Sequence, residues 1–198
     1  MGRRSDHSRE EIREMAITAA TRIVTGQGLA KLTARGIAQD IGYTVGTLYL
    51  AFENLDDLIL HVNAKTLEEL HAGITAAARD LADPKRRLAA MSKAYIELAN
   101  RQPRRWNAVF EHSLVDTEIP DWYRQRIDAL LLLVEAEFRQ LAPHKSDTEI
   151  WIAARTLWAG IHGISMAALT STPVIKKPDM SWQLASSLIE NYLTGFLR

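Results

Sequence analysis

Apolar residues recur along most of this chain at intervals of three and four, which is the spacing of an amphipathic helix. Pro and Gly stand at the breaks between such stretches, and no stretch alternates apolar and polar residues as a half-buried strand does. Ser8 and Glu11 form the sequence of a capping box at the start of the first stretch. Its apolar stripe consists of Ile12, Met15, Ala16, Ala19, Ala20, Ile23 and Val24. The pattern predicts an all-α fold.

Two short helices are expected after this first one. The second opens at Leu32-Thr33 and stops at Gly42, which can take the positive φ of a tight turn. Thr44 caps the third, in which Leu48 and Tyr49 are expected to point inward. The third helix has only about two turns, so it must be stabilised by packing on its neighbours.

A long fourth helix follows, capped by Asn54 and running to about Ala78. Two short helices joined by a glycine turn and braced by longer ones are the parts of a helix-turn-helix. Leu48 and Phe52 would anchor the third helix, whose N-terminal end would project outward. That is the geometry in which a recognition helix enters the major groove of DNA.

Five more helices are predicted beyond residue 80, which makes about nine in all. Their boundaries are set by Asp83-Pro84, Pro103, Ile119-Pro120-Asp121, Pro143 and a second capping box, Ser146–Glu149. The last of these helices is expected from about Ser181 to Leu197. The predicted domains are a helix-turn-helix domain over residues 1–55 and a helical effector-binding and dimerisation domain over residues 56–198.

Composition narrows the class of protein. The chain of 198 residues has no cysteine, which excludes disulfides and thiolate metal sites, and no apolar run long enough to span a membrane. The charged N-terminus does not resemble a secretory signal, so a soluble cytoplasmic protein is expected. No motif of a phosphate-binding loop, metalloprotease or serine hydrolase occurs. We therefore expect no enzyme, no cofactor and no metal site.

The segment LTARGIAQDIGYTVGTLYLAFENLDDLI resembles the DNA-binding signature of the tetracycline-repressor (TetR) family. The positions that match at fixed spacing are Thr33, Ile37, Ala38, Gly42, Thr47, Leu48, Tyr49, Phe52 and Leu58. The resemblance implies that residues at or near the DNA are Thr33, Arg35, Thr44, Val45, Gly46, Thr47, Tyr49, Leu50 and Ala51. By the same analogy Arg35 and Tyr49 would contact phosphates, and Val45 to Thr47 would lie near base edges.

The sequence departs from the family pattern at the start of the fourth helix, where Leu55 replaces the usual lysine. Residues 1–60 hold seven Lys and Arg against eight Asp and Glu. The attraction to phosphate is therefore expected to be modest, with a shallow salt dependence.

The eighth predicted helix, EIWIAARTLWAGIHGISMAAL, is apolar nearly all round, which indicates burial on two sides. Its small residues would allow close helix packing, and they are Ala153, Ala154, Ala159, Gly160, Gly163, Ala167 and Ala168. The family forms dimers through its last two long helices, so the resemblance implies a homodimer that reads a palindromic operator in double-stranded DNA. A core helix in a monomer remains the alternative.

Aromatic and histidine side chains of the second half could line a pocket for a small, largely apolar effector. The candidates are Tyr95, Trp106, Phe110, His112, Trp158 and His162. Trp158, His162 and Gly163 also resemble a family subgroup with a Trp-x-x-x-His-Gly signature. The same residues would equally suit a packed core or a dimer interface.

The sequence thus predicts a ligand-responsive transcriptional regulator, most simply a repressor that an effector releases from its operator. The alternative from another class is a helical protein-interaction module without sequence-specific DNA binding.

Overall fold

The computed structural model describes residues 7–112, 118–170 and 178–198. Over these ranges the chain is helical and contains no strand, so the predicted all-α class is confirmed. The nine α-helices of these ranges are α1 (Arg9–Gln27), α2 (Ala34–Asp40), α3 (Val45–Ala51), α4 (Leu55–Ala78), α5 (Pro84–Arg101), α6 (Pro103–Glu111), α7 (Asp121–Leu141), α8 (Asp147–Leu169) and α9 (Pro178–Phe196). A 3-10 turn, Leu29–Lys31, was not predicted.

The chain forms two compact units. The first comprises Met1–Thr66 and Arg104–Tyr123, and the second comprises Leu67–Pro103 and Arg124–Arg198. Helices α4 and α7 each begin in the first unit and end in the second. Helix α6 joins the first unit, where the Asn63 side-chain amide donates a 3.0 Å hydrogen bond to the Ala108 carbonyl. The division into domains of residues 1–55 and 56–198 concerns function and stays a prediction.

Side-chain caps fix the starts of the first helices. Ser8 and Glu11 form the predicted capping box, with the Ser8 N–H donating to the Glu11 carboxylate at 2.6 Å. Thr33 and Thr44 cap α2 and α3 by accepting a backbone N–H three residues on, at 3.1 and 3.2 Å. Gly42 has φ of 76°, which confirms the left-handed turn expected between these two helices.

The core of the first unit holds the short α3 in place. Leu48, Ala51 and Phe52 are at most 2 % exposed and belong to one apolar cluster with residues of α1, α2 and α4. Burying side chains as large as Leu48 and Phe52 stabilises by roughly 1.5–3 kcal/mol each, which exceeds what seven residues of helix could supply alone. The prediction that Tyr49 points inward is wrong, because Tyr49 is 44 % exposed. It lies about 100° round the helix from Leu48, on the side away from the core.

In the second unit, α8 packs on α5 and α9. Gly160 of α8 lies so close to Leu188 of α9 that an added Cβ would come within 2.4 Å of a Leu188 methyl. Ala153 and Ala154 are buried in this unit as well. Part of the small-residue stripe predicted for close packing therefore serves contacts within the chain, because Gly160 lies against α9.

Charged side chains tie α7 to its neighbours in the second unit. The Arg87 guanidinium of α5 donates to the Glu137 carboxylate at 2.6 Å, and both side chains are largely buried. Arg155 of α8 donates to Glu135 at 2.6 Å. Within the described ranges, no helix combines the length and the apolar character that crossing a bilayer requires.

Candidate nucleic-acid interface

Helix α3 turns an uncharged surface outward. Leu50 is 69 % exposed and Tyr49 44 % exposed, while Leu48 and Phe52, which anchor the helix, are buried. The helix sequence VGTLYLA contains no Lys, Arg, Asn or Gln. These four residue types make the bidentate hydrogen bonds that read guanine and adenine in the major groove. The outward face can therefore offer base edges only methyl groups, an aromatic ring and hydroxyls.

The hydroxyls at the start of α3 are engaged locally. Thr44 Oγ1 accepts the N–H of Thr47 and lies 3.0 Å from the Thr47 hydroxyl. Gly46 between them is exposed, and an added Cβ would meet only the Thr44 hydroxyl oxygen at 3.7 Å. The missing side chain leaves the backbone of this turn open to close approach.

Helix α2 contributes polar residues beside α3. Thr33, its N-cap, is exposed, and Arg35 in its first turn is exposed as well. Leu55, which stands where the family usually has a lysine, is partly buried against the core of the first unit. Leucine can join this apolar cluster, whereas a lysine ammonium would avoid it.

Eight of the nine residues expected at DNA are exposed or half-buried, and Ala51 is the exception. It is 2 % exposed, so its side chain belongs to the core. Its carbonyl oxygen accepts a 2.6 Å hydrogen bond from the Arg13 guanidinium of α1. Arg13 was not predicted to have a role, because a basic residue at a half-exposed helix position carries no sequence signal for such a contact.

Three of the six predicted effector residues meet in the second unit. The Tyr95 hydroxyl lies 2.9 Å from His162 Nδ1, and the Trp158 ring stacks on the His162 ring at 5.3 Å between centroids. Burial raises the pKa of Tyr95, with a smaller opposite effect from a hydrogen bond with Trp158. Burial lowers the pKa of His162, which favours the neutral imidazole that can accept from Tyr95.

The other three lie in the first unit. Trp106 is buried, and its ring centroid is 5.2 Å from that of Phe110. His112 Nε2 is 3.5 Å from an Asp56 carboxylate oxygen. Burial lowers the pKa of His112, and Asp56 opposes this effect.

The first unit also contains buried polar atoms. Asn63 and Thr66 are at most 2 % exposed, and Asn63 Oδ1 and Thr66 Oγ1 have no hydrogen-bond partner within the described part of the chain. Burial raises the pKa of the neighbouring Tyr123 to about 12, against a hydrogen bond with Asn63. Unpaired buried oxygens cost free energy, so they favour a bound water or ligand donor. Among the described residues, no group of His, Asp or Glu is arranged to hold a metal ion.

Two family models match the chain. Residues 16–62 match "Bacterial regulatory proteins, tetR family", and residues 88–188 match "Tetracyclin repressor-like, C-terminal domain". The first range contains α2, α3 and the turn between them, together with most of α1. No curated protein sequence matches the chain significantly.

Several solved structures share the fold. A protein of unknown function from Rhodococcus sp. RHA1 superimposes with a TM-score of 0.77 at 15 % identity, over 100 % of both chains. A transcriptional regulator from the same organism superimposes with a TM-score of 0.70 at 18 % identity, over 92 % of this chain and 96 % of that one. A tetR-family transcriptional regulator from Streptomyces coelicolor superimposes with a TM-score of 0.68 at 12 % identity, over 100 % of this chain and 90 % of that one.

Proposed function

Since the chain belongs to the tetracycline-repressor family of transcriptional regulators, we propose that it is a repressor that binds a palindromic operator as a homodimer. A small, largely apolar effector releases it from the DNA. The proposal includes no catalysis, since regulation of this kind needs only binding. It also implies a cytoplasmic location, because the chromosome of a bacterium lies there.

The observation that carries DNA binding is the exposed face of α3. Its anchors, Leu48 and Phe52, are buried in the core of the first unit, while Leu50 and Tyr49 extend into solvent. A helix held in this way can enter a major groove without giving up its own packing. Leu50, Val45 and Thr47 meet base edges in this proposal.

The flanking residues position the helix on the duplex. Arg35 and Tyr49 contact phosphates, Thr33 and Thr44 lie at the edges of the groove, and Gly46 lets the backbone come close. Ala51 contributes through its place in the core, not through a side-chain contact with DNA.

The homodimer forms through α8 and α9 in this proposal. Ile152 of α8 is 50 % exposed and Leu184 of α9 is 37 % exposed. Ile152, Ala159 and Gly163 repeat at helical intervals, and all three are exposed. An exposed apolar stripe with small residues suits a second helix of the partner, and two-fold symmetry would present two recognition helices to a palindrome.

The effector contacts the cluster of Tyr95, Trp158 and His162 in the second unit, where two aromatic rings lie beside a polar imidazole. Trp106, Phe110 and His112 are the corresponding candidates in the first unit. Because α4 runs from one unit into the other, a shift of α4 on binding would reach the helix-turn-helix. An effector changes operator affinity only by its difference in affinity for the two states.

The test is selection of binding sites from a pool of random duplexes, followed by footprinting on the enriched sequence. A repressor of this kind protects a short palindrome with its half-site centres about one helical turn apart. Recovery of no preferred sequence, or protection without two-fold symmetry, would refute the proposal. The interaction-module alternative predicts the first of these results.

A further inference from the structure

A network of side chains links the C-terminal end of the recognition helix to the first turn of α7. It starts at Arg13 of α1, which donates a 2.6 Å hydrogen bond to the carbonyl of Ala51, the last residue of α3. The same guanidinium lies over the Phe52 ring, 4.7 Å from its centroid. A cation over an aromatic face and a charged hydrogen bond to a helix C-terminus are both attractive. Arg13 therefore holds the end of α3 by two contacts.

His61 of α4 holds Arg13 in turn. The Arg13 guanidinium donates to His61 Nε2, and the His61 and Phe52 rings meet edge to face at 6.0 Å between centroids. Asp57, one turn earlier in α4, places a carboxylate oxygen 3.4 Å from the same nitrogen. His61 is half-buried, so its ring has a restricted position between α1, α3 and α4.

Trp122 completes the network from α7. Its ring stacks on His61 with 4.3 Å between centroids and 9° between planes, a closer and flatter contact than the one between His61 and Phe52. Trp122 is the second residue of α7 and lies in the first unit with all the other members. Helix α7 then continues into the second unit.

We propose that Arg13, His61 and Trp122 are positioning residues for the recognition helix. The stack of Trp122 on His61 fixes the imidazole, which orients the Arg13 guanidinium against the end of α3. The network thereby makes the position of α3 depend on the first turn of α7. This inference rests on the proposed function, since it concerns how accurately α3 is held for DNA.

The network predicts an effect on specific binding alone. None of the three side chains has to touch DNA, so non-specific attraction to phosphate should not depend on them. Reading a sequence requires α3 at a defined depth and angle in the groove, so specific affinity should depend on them. The ratio of the specific to the non-specific affinity therefore distinguishes an effect on the position of α3 from a direct effect of charge on phosphate binding.

The experiment measures dissociation constants of the full chain for two duplexes, the sequence enriched by selection and a scrambled duplex of the same composition. Trp122→Leu removes the stack but keeps an apolar side chain, and Arg13→Met removes the guanidinium but keeps its stem. Each is expected to weaken binding to the selected duplex about tenfold, the size expected for a lost charged hydrogen bond. The dissociation constant for the scrambled duplex should change less than about twofold, because non-specific binding depends on attraction to phosphate.

Two further variants separate a network from general loss of structure. Trp122→Phe retains an aromatic ring, so it should keep most of the specific affinity that Trp122→Leu loses. The double variant Arg13→Met/Trp122→Leu should bind no more weakly than Arg13→Met, since Trp122 acts through Arg13. Thermal unfolding followed by circular dichroism shows whether each variant is folded.

Lys65→Met is the matched control. Lys65 of α4 pairs with Glu14 of α1 at 3.4 Å, so its loss also removes one positive charge and one link between α1 and α4. It has no link to α3 in the network and should bind both duplexes like the wild type.

The possible results are distinct. The network would be refuted if Trp122→Leu bound the selected duplex with wild-type affinity, or if the losses of binding free energy were additive in the double variant. It would also be refuted if Lys65→Met lost as much affinity for the selected duplex as Arg13→Met does. Equal weakening on both duplexes would show a phosphate contact and overturn it as well. A wild-type chain that does not distinguish the duplexes would overturn the proposed function itself, and the inference with it.

Discussion

The hydroxyl of Tyr95 lies 2.9 Å from Nδ1 of His162, across helices α5 and α8 of the second unit. Tyr95 is only 7 % exposed, so its hydroxyl is shielded from water where it meets this imidazole and hydrogen-bonds with Trp158. A protonated imidazole carries hydrogens on both nitrogens and cannot accept from the hydroxyl. The contact therefore exists in this form only while His162 is neutral.

Acidification should weaken the fold partly through His162. Burial lowers the His162 pKa below its ordinary value of 6.5, so below about pH 6.5 the unfolded chain binds a proton more readily than the folded one. The contribution of neutral His162 to the free energy of unfolding is complete above that pH, and it declines as the pH falls toward the folded-state pKa. Urea unfolding at pH 7.5 and pH 5.5 should show a smaller loss for His162→Gln than for the wild type.

The exposed His144 supplies the control for this measurement. His144→Gln should leave the loss between the two pH values unchanged. His112, whose pKa burial also lowers, adds to the wild-type loss with the same sign and remains in both variants. The same pH dependence in His162→Gln and the wild type would refute the role given to this histidine.

Leu50 should read thymine methyl groups. It is 69 % exposed on a helix that has no bidentate hydrogen-bonding side chain, and a leucine can gain only apolar contacts in the major groove. Replacing the thymines of the selected operator by deoxyuridine, which lacks only the methyl, should weaken wild-type binding about tenfold. Fluorescence anisotropy titration measures the change.

Leu50→Ala provides the matched variant for the same titration. It should bind the thymine operator more weakly and lose most of its sensitivity to deoxyuridine, because the side chain that meets the methyl is gone. If Leu50→Ala and the wild type respond equally to deoxyuridine, another residue reads the methyl groups.

Ile152→Glu should disrupt the proposed homodimer. The side chain is 50 % exposed within the chain, so the substitution leaves the fold intact but places a carboxylate in the proposed α8 interface. Sedimentation velocity should show dissociation at a concentration at least about tenfold higher than for the wild type. Leu132→Glu, at a 59 % exposed position on α7, is the control and should sediment like the wild type. Equal behaviour of the two variants would place the interface elsewhere.

Gly160→Ala should lower the free energy of unfolding. Alanine in the middle of a helix normally gains about 0.5–1 kcal/mol over glycine. At this position the new methyl would stand 2.4 Å from a Leu188 methyl, and such overpacking costs about 1–3 kcal/mol. The net result should be a loss of about 1 kcal/mol, measured by urea unfolding.

Gly73→Ala tests the same substitution where space is available. Gly73 lies in the interior of α4, and nothing approaches its added Cβ within 4 Å. It should therefore gain stability while Gly160→Ala loses it. A gain at both positions would mean that Leu188 moves aside at little cost.

The local order of the chain could be predicted because it depends on neighbours in sequence. A capping residue meets backbone groups two or three positions on, so the caps at Ser8, Thr33, Thr44 and Ser146 are visible in the sequence alone. The turn at Gly42 follows from the same kind of local rule. Periodic apolar residues and these signals were enough for the helices, and the motif across α2 and α3 was enough for the family.

The direction of single side chains was decided by tertiary packing. Tyr49 points outward because Leu48, Ala51 and Phe52 already occupy the contact with the core. Gly160 serves the packing of α8 against α9 within the chain, whereas Gly163, three residues on, is exposed. Helical period alone does not distinguish these positions when apolar and small residues occur all round a helix.

The sequence by itself determined the helices, their caps and the family. Only the tertiary structure decided that Arg13, His61 and Trp122 meet at the C-terminal end of α3. These residues lie 48 and 61 positions apart along the chain. Helix rules describe interactions over three or four positions, so contacts at such separations arise from how α1, α4 and α7 pack, and no local pattern records them.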